Sequence, residues 1–287
     1  MASPTTTDLA TARGHFERAL GDLLSVGEAT LDAPWDWAGH GEVDRRYGFF
    51  RILEDLDATT ARLDAVGGGR PVHEAIVAPA TVARWELNGL VATLTEADLD
   101  ADPGRGEWTV RQTIAHIIGS QHGYAVYNDW WRQQAIRTSE ESLPYAPDGL
   151  DDPAWDEAIA AHGTPDDIRG RLHVVVDDAA ALTSDLTDDD LALVARWSGL
   201  PVTLAFRQGR WASHITEHTV QVDKTLMWLG RQPSEVERLV RQLSAAWGRL
   251  EARVWPRARD EGAVAIAVDA ARRAAETAAS VRAAKPA

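Results

Sequence analysis

The sequence predicts an all-α protein: a four-helix bundle with additional N-terminal and C-terminal helices. Three observations carry this expectation. Apolar residues recur at helical spacing along most of the 287 residues. Ser/Thr residues followed three positions later by Asp, Glu or Gln mark helix starts as capping boxes, at Thr95/Asp98, Thr109/Gln112, Thr164/Asp167 and Ser234/Glu237. Strand signals are few, and the β-branched run His173-Val174-Val175-Val176 sits inside a helix-period pattern.

The elements follow in order. Leu9 to Thr30 and Arg45 to Val66 have helical spacing, the second through Phe49, Phe50, Leu53, Leu56 and Leu63. Gly67, Gly68 and Gly69 end it, and Pro71 suits the first turn of a third helix reaching about Leu94. Thr109 opens a helix to about Arg137. Thr164, followed by Pro165, opens one to about Leu186. A helix ending at Leu229 starts between Pro201 and Arg210, and Gly230 stops it. Ser234 opens another to about Trp255, and the Ala-rich stretch Val264 to Ala283 forms the last. The gap Thr138 to Gly163 holds Pro144, Pro147 and Pro153 and reads as a solvated crossover, with a lid as the functional alternative. The bundle is therefore 72–94, 109–137, 164–186 and about 203–229. The expected division is 1–70 as an N-terminal helical extension, 71–230 as the bundle, and 231–287 as a C-terminal extension. That last extension packs on the bundle or pairs with a second subunit in a homodimer. No internal repeat of solenoid period is present.

Composition narrows the function. The net charge of −15 disfavours a nucleic-acid partner and an anionic membrane surface. The absence of cysteine excludes disulfides, thiolate-held metals and a protein thiol nucleophile. The polar segment Met1 to Leu9 has no signal-peptide character, and no window reaches the roughly 18 apolar residues of a spanning helix. A cytoplasmic protein is expected.

The strongest chemical signal is His214-Ile215-Thr216-Glu217-His218. Histidines four apart lie one turn apart on one helical face, where both can ligate a single ion. The alternative is a partly exposed polar face. His116 adds a third imidazole. Around it lie Gln112, Thr113, Gly119 and Ser120, with Gly123 two turns on. Glycines in a helix interior cost about 1 kcal/mol each against Ala, so they leave space either for a ligand or for close helix packing. His15, His40, His73, His122, His162 and His173 read as surface or packing residues.

The segment Trp108-Thr-Val-Arg-Gln-Thr-Ile-Ala-His116 resembles the W-[ST]-V-x5-H element of the DinB/YfiT-like superfamily. Trp211-Ala-Ser-His-Ile-Thr-Glu-His-Thr-Val-Gln221 resembles its second element, H-x3-H followed by Gln. The resemblance covers about residues 72–230. It implies a DinB-like four-helix bundle in which His116, His214 and His218 bind a divalent metal, zinc first and nickel as an alternative. Relatives include enzymes that use mycothiol or bacillithiol. Lysine occurs only at positions 224 and 285, and the Ala-, Arg- and Asp-rich composition points to a high-GC genome, favouring mycothiol.

His214-x-x-Glu217-His218 also spells the inverted-zincin pattern, with Glu251 or Glu276 as third ligand. That reading leaves His116 unexplained. Glu217 reads as solvated or ion-paired, with an acid–base role as the functional alternative. Gln221, one turn past His218, can orient a water or substrate or make a structural hydrogen bond. Trp211 reads as core. Arg207 and Arg210 read as solvated, with an anionic substrate as the alternative. Of Tyr124 and Tyr127, the latter stays closer to the face of His116.

Together these residues predict a metal-dependent enzyme, with Glu217 and Gln221 as catalytic candidates. It would activate a small-molecule thiol for S-transfer to, or isomerisation of, an electrophilic substrate. The alternatives are a hydrolase whose open metal position carries hydroxide, and a non-catalytic metal- or ligand-binding bundle.

Overall fold

The computed structural model describes residues 4–37, 40–65, 72–138, 143–150, 152–255 and 260–284. The expected stop at Gly67–Gly69, Pro71, Lys285 and the side chain of His73 lie outside what is described. The elements are α1 (Pro4–Leu24), β1 (Pro34–Asp36), β2 (Glu42–Asp44), α2 (Arg45–Ala65), α3 (Val72–Val91), α4 (Glu96–Asp100), α5 (Val110–Gln134), α6 (Glu157–Ala160), α7 (Pro165–Leu182), α8 (Asp188–Leu191), β3 (Val194–Trp197), β4 (Leu200–Thr203), α9 (Leu204–Trp228), α10 (Glu235–Val254) and α11 (Glu261–Ala283). The protein is all-α, with two small antiparallel hairpins, β1–β2 and β3–β4. Among the described residues no helix is long and apolar enough to cross a membrane.

All four expected capping boxes form, opening α4, α5, α7 and α10. A fifth, Thr187/Asp190, opens α8. The chain divides into two compact units, residues 70–232 and residues 1–69 with 233–287.

The unit 70–232 is a four-helix bundle of α3, α5, α7 and α9. Helices α3 and α5 each pack on both α7 and α9. Helix α5 buries Ile114, Ile117, Ile118 and Ala125 and helix α9 buries Trp211, Ile215 and Val222, and the two helices pack on each other. That seam also brings an α5 side chain against two from α9, and the candidate site is built there.

The other unit joins the two ends of the chain: α1 packs on α10 and α11, and α2 on the same pair. Phe16 stacks on Trp247 with ring centroids 4.8 Å apart. Beside them Glu251, fully buried, accepts from Arg13 Nη2 at 2.7 Å and Trp247 Nε1 at 3.1 Å. The alanines of α11 pack at close range: Ala263, Ala267, Ala270, Ala271, Ala274 and Ala278 are all buried. The two extensions, which sequence separates, thus form one helical unit.

The sequence reading missed the hairpin β3–β4. Its turn is Ser198-Gly199, with φ of 47° and 86°. Positive φ at both central residues is what a type I′ turn requires, and such turns match the twist of paired strands. The hairpin is fixed to the bundle by Val194 N–H donating to the Ile136 carbonyl at 2.8 Å. Ala195, Leu193 and Leu204 share a buried cluster with Trp131 and Ile136. Its last residue, Thr203, caps α9 by accepting from Phe206 N–H. Replacing Gly199 by Ala places a Cβ at φ of 86° and should lower stability by about 1 kcal/mol. Thermal melting of the two chains checks this, and an unchanged midpoint contradicts the turn assignment.

Candidate metal centre

His116 sits in the second turn of α5, and His214 and His218 lie one turn apart in the middle of α9. Their ring centroids are 5.0 Å (116–214), 4.8 Å (116–218) and 4.3 Å (214–218) apart. One nitrogen from each ring falls within 4.8 Å of the other two. His214 is buried and the other two are half-buried.

Two of the rings are oriented by oxygen acceptors. His116 Nδ1 lies 2.8 Å from Glu157 Oε1, and His218 Nδ1 lies 2.7 Å from Gln221 Oε1. A proton held on Nδ1 by such an acceptor leaves Nε2 with the free lone pair, which is the nitrogen a metal takes. Nδ1 of His214 is buried without a hydrogen-bond partner among the described residues. Burial, then the neighbouring His218 and His116, pull the pKa of His214 down to about 3. A converging set of imidazoles, one of them buried with an unsatisfied Nδ1, fits a divalent cation.

Glu157 is the functional residue that sequence reading missed. It arrives on the connection between α5 and α7, over forty positions from His116, and no spacing rule could pair the two. Two things hold it there. Gly119, one turn after His116, lets the connection approach: a Cβ at that position would stand 3.0 Å from Glu157 Cγ and 3.1 Å from the Trp155 carbonyl oxygen. The flanking segment is also pinned. Asp152 N–H donates to His122 Nε2 at 3.1 Å, Arg171 Nη2 donates to the Ala154 carbonyl at 2.9 Å, and Arg111 Nη1 donates to the Ala161 carbonyl at 2.6 Å. This part of the expected solvated crossover is therefore a fixed wall. It borders an open pocket of about 440 Å³ lined by Gly119, Ser120, Gly123, Tyr127, Trp155 and Glu157, among others. His122 thus serves this wall, as a packing residue.

The remaining candidates fall as follows. Glu217 is exposed and accepts from Arg210 Nη2 at 3.0 Å, and that guanidinium holds its carboxylate below the usual range. Gln221 makes its hydrogen bond to His218. Trp211 is buried core, and Trp108 lies against His116 with centroids 5.1 Å apart. Tyr124 is the tyrosine beside His214, edge-on with ring centroids 5.3 Å apart, while Tyr127 lines the cavity. Arg207 is buried, against the expectation of solvation, and donates to Asn128 and to the Arg196 carbonyl. Glu251 and Glu276, the third ligands of the inverted-zincin reading, are engaged by Arg13 and Arg272 in the other unit.

A family model described as the DinB superfamily matches residues 80–225, just over half of the chain. No curated protein matches. Among solved structures the chain is similar to one described as "YfiT from Bacillus subtilis is a probable metal-dependent hydrolase with an unusual four-helix bundle topology". That chain is 19% identical with a TM-score of 0.42, and the likeness covers 58% of this chain and 97% of that one.

Two predictions follow from this geometry. Gly119→Val should push the Trp155–Glu157 turn away and free His116 from its carboxylate. Metal affinity should then fall by about 10- to 100-fold, read by competition against a chromophoric chelator; parent affinity would contradict the role given to Glu157. The second concerns pH. In the metal-free chain His214 stays neutral when folded down to about pH 3, whereas unfolded histidine protonates near 6.5. Its contribution to stability is thus full above about 6.5 and is lost as pH falls from there toward 3, by up to about 1.4 kcal/mol per pH unit. Urea unfolding of chelated His214→Gln should show a shallower loss between pH 6 and 4 than the parent. Parallel slopes would contradict a buried neutral ring.

Proposed function

The chain belongs to the DinB superfamily, and from that premise we propose that His116, His214 and His218 hold a divalent metal, zinc first and nickel as the alternative. We propose further that the protein is an enzyme that activates a small-molecule thiol, mycothiol-like, for S-transfer to or isomerisation of an electrophilic substrate. The observation that carries the reading is the convergence of three imidazoles, two with their second nitrogen already committed to an acceptor. When bound, a divalent ion supplies a Lewis acid that favours the deprotonated form of a thiol or of water. Three protein ligands leave room for such a molecule, as catalytic rather than structural zinc sites do.

The chain's own residues set the surroundings. Glu157 and Gln221 orient two of the rings and are positioning residues in this reading. Glu217 neutralises Arg210 at the edge of the site, so that one of the two nearby guanidinium charges is cancelled. Tyr124 and Trp108 wall the histidines on two sides and limit water. The chain has no cysteine, so a thiolate nucleophile must enter as cosubstrate. A free thiol with pKa near 8.5 is only a few per cent ionised at neutral pH.

Replacement of the bound metal by cobalt(II), followed by titration with mycothiol or a simple thiol analogue, tests this. A sulfur-to-cobalt charge-transfer band in the near ultraviolet should appear at saturating thiol and vanish in His214→Ala. Cobalt bound with no band at saturating thiol overturns the thiol reading and leaves hydrolysis. Cobalt retained at full stoichiometry and affinity in His116→Ala overturns the three-histidine site itself.

A further inference from the structure

The segment between α4 and α5 leads into the candidate metal centre. It ends on Trp108, whose ring centroid lies 5.1 Å from that of His116, and on Thr109, which caps α5. Its backbone is unusual. Gly104, Arg105 and Gly106 follow one another with φ of 76°, 61° and 71°. Glycine takes that region freely, but an L side chain does so at a cost. A left-handed arginine persists where its surroundings hold it. Trp108 is 40% exposed, so its ring meets both His116 and solvent.

Helix α9 holds this segment from the other side. His218, Gln221, Lys224 and Trp228 recur at helical spacing along one of its faces. Lys224 Nζ donates to Glu107 Oε2 at 3.3 Å, on the residue next to Trp108. The same ammonium lies 4.5 Å from the centroid of the Trp228 ring, and the Arg105 guanidinium carbon lies 5.7 Å from that centroid. Both distances are within cation–π range. One indole therefore gathers a cation from its own helix and a cation from the left-handed segment. Lysine is rare in this chain, and its compact ammonium serves the ring and the carboxylate together.

We propose that Lys224, Trp228 and Arg105 clamp the segment 104–108 to α9, and that Trp108, so held, gates access to His116. Lys224 is then a positioning residue, acting through Glu107 and Trp108. Contacts of this kind are weak at a protein surface, so the segment opens locally while the bundle stays folded. Opening lets a molecule reach the histidines and lets it leave. A gate therefore changes the rates of entry and exit by the same factor and leaves affinity unchanged. A residue that orients a ligand changes affinity, and one that only supports the fold changes neither. The role of the gate at a metal rests on the proposed function. The gate over His116 does not.

The experiment is limited modification of the purified, metal-free full chain with diethyl pyrocarbonate, which acylates neutral imidazole. Modified peptides are read by mass spectrometry, with the exposed His162 as internal reference. Relative to His162, His116 should react about threefold to tenfold faster in Lys224→Met than in the parent. Lys224→Arg keeps a cation and a donor and should react at the parental rate. An unchanged His116 rate in Lys224→Met overturns the gate, and so does a Lys224→Arg rate equal to that of Lys224→Met. Cobalt(II) gives the second readout. Loading, and removal by a chelator, should both quicken by the same factor in Lys224→Met, with Kd unchanged; a changed Kd overturns the gate and makes Lys224 a ligand-orienting residue. Should the parent bind no cobalt, the three-histidine reading fails while the modification rates still decide the gate. Should Lys224→Met fail to fold, Glu107→Gln cuts the same pair from the other side; it must give the same acceleration, and a parental rate overturns the proposal.

Discussion

Three imidazoles whose centroids lie 4.3 to 5.0 Å apart repel one another in their charged forms. At that separation two unit charges repel by about 3 kcal/mol even at an effective dielectric constant of 20, and three such pairs would act at once. The seam between α5 and α9 therefore holds three imidazole donors at a spacing that disfavours their simultaneous charging. Burial of His214 drives it further from the charged form. The acceptors on His116 and His218 are a carboxylate and an amide oxygen, each taking a single Nδ1 proton. The cation nearest the site by sequence, Arg210, is drawn off by Glu217. Each of these choices lowers the cost of holding donors together, and donors held together are what a metal ion requires.

The same constraint accounts for the shape of the surrounding chain. Helix α5 must come close to α9 at His116 and also admit a connecting segment one turn later. Gly119 satisfies the second demand by offering no Cβ where the Trp155 carbonyl passes. Glycine in a helix interior costs about 1 kcal/mol, and the capping box at Thr109 offsets a similar amount at the start of the same helix. The hairpin β3–β4 meets a related demand at the opposite end of the site. It covers the start of α9 and sets Trp197 against Tyr124, closing the aromatic wall beside His214.

How much of this the sequence displays follows from the range of each interaction. Helix starts were legible because a capping box is complete within four residues: Thr109 and Gln112 satisfy each other without help from the rest of the fold. The histidine pair on α9 was legible for the same reason, and His116 through its motif. Glu157 was not, because its partner lies on a different element and its approach depends on a glycine whose role only packing reveals. The contact of Tyr124 with His214 was not legible either, since helical phase fixes which face a residue occupies but not which neighbour covers that face. Ser198-Gly199 was a local turn signal. It went unread because the strands it joins are short and Pro201 interrupts the second.

Arg207 shows where the limit falls. In the sequence it is one of two arginines three apart on a polar stretch, and solvation is the economical reading for both. In the fold they part company. Arg210 finds Glu217 two turns along α9 and stays partly exposed, while Arg207 turns inward against Asn128 and the Arg196 carbonyl. The difference arises because α5 offers an amide and the hairpin a carbonyl, rather than a carboxylate, at the place where Arg207 lands. A protein that needed that guanidinium only as a brace could hold it with an Asp at position 128, as Arg84 is held by Asp177. Asparagine there keeps the hydrogen-bond geometry and leaves the guanidinium without a carboxylate partner among the described residues, and burial draws its pKa down to about 10.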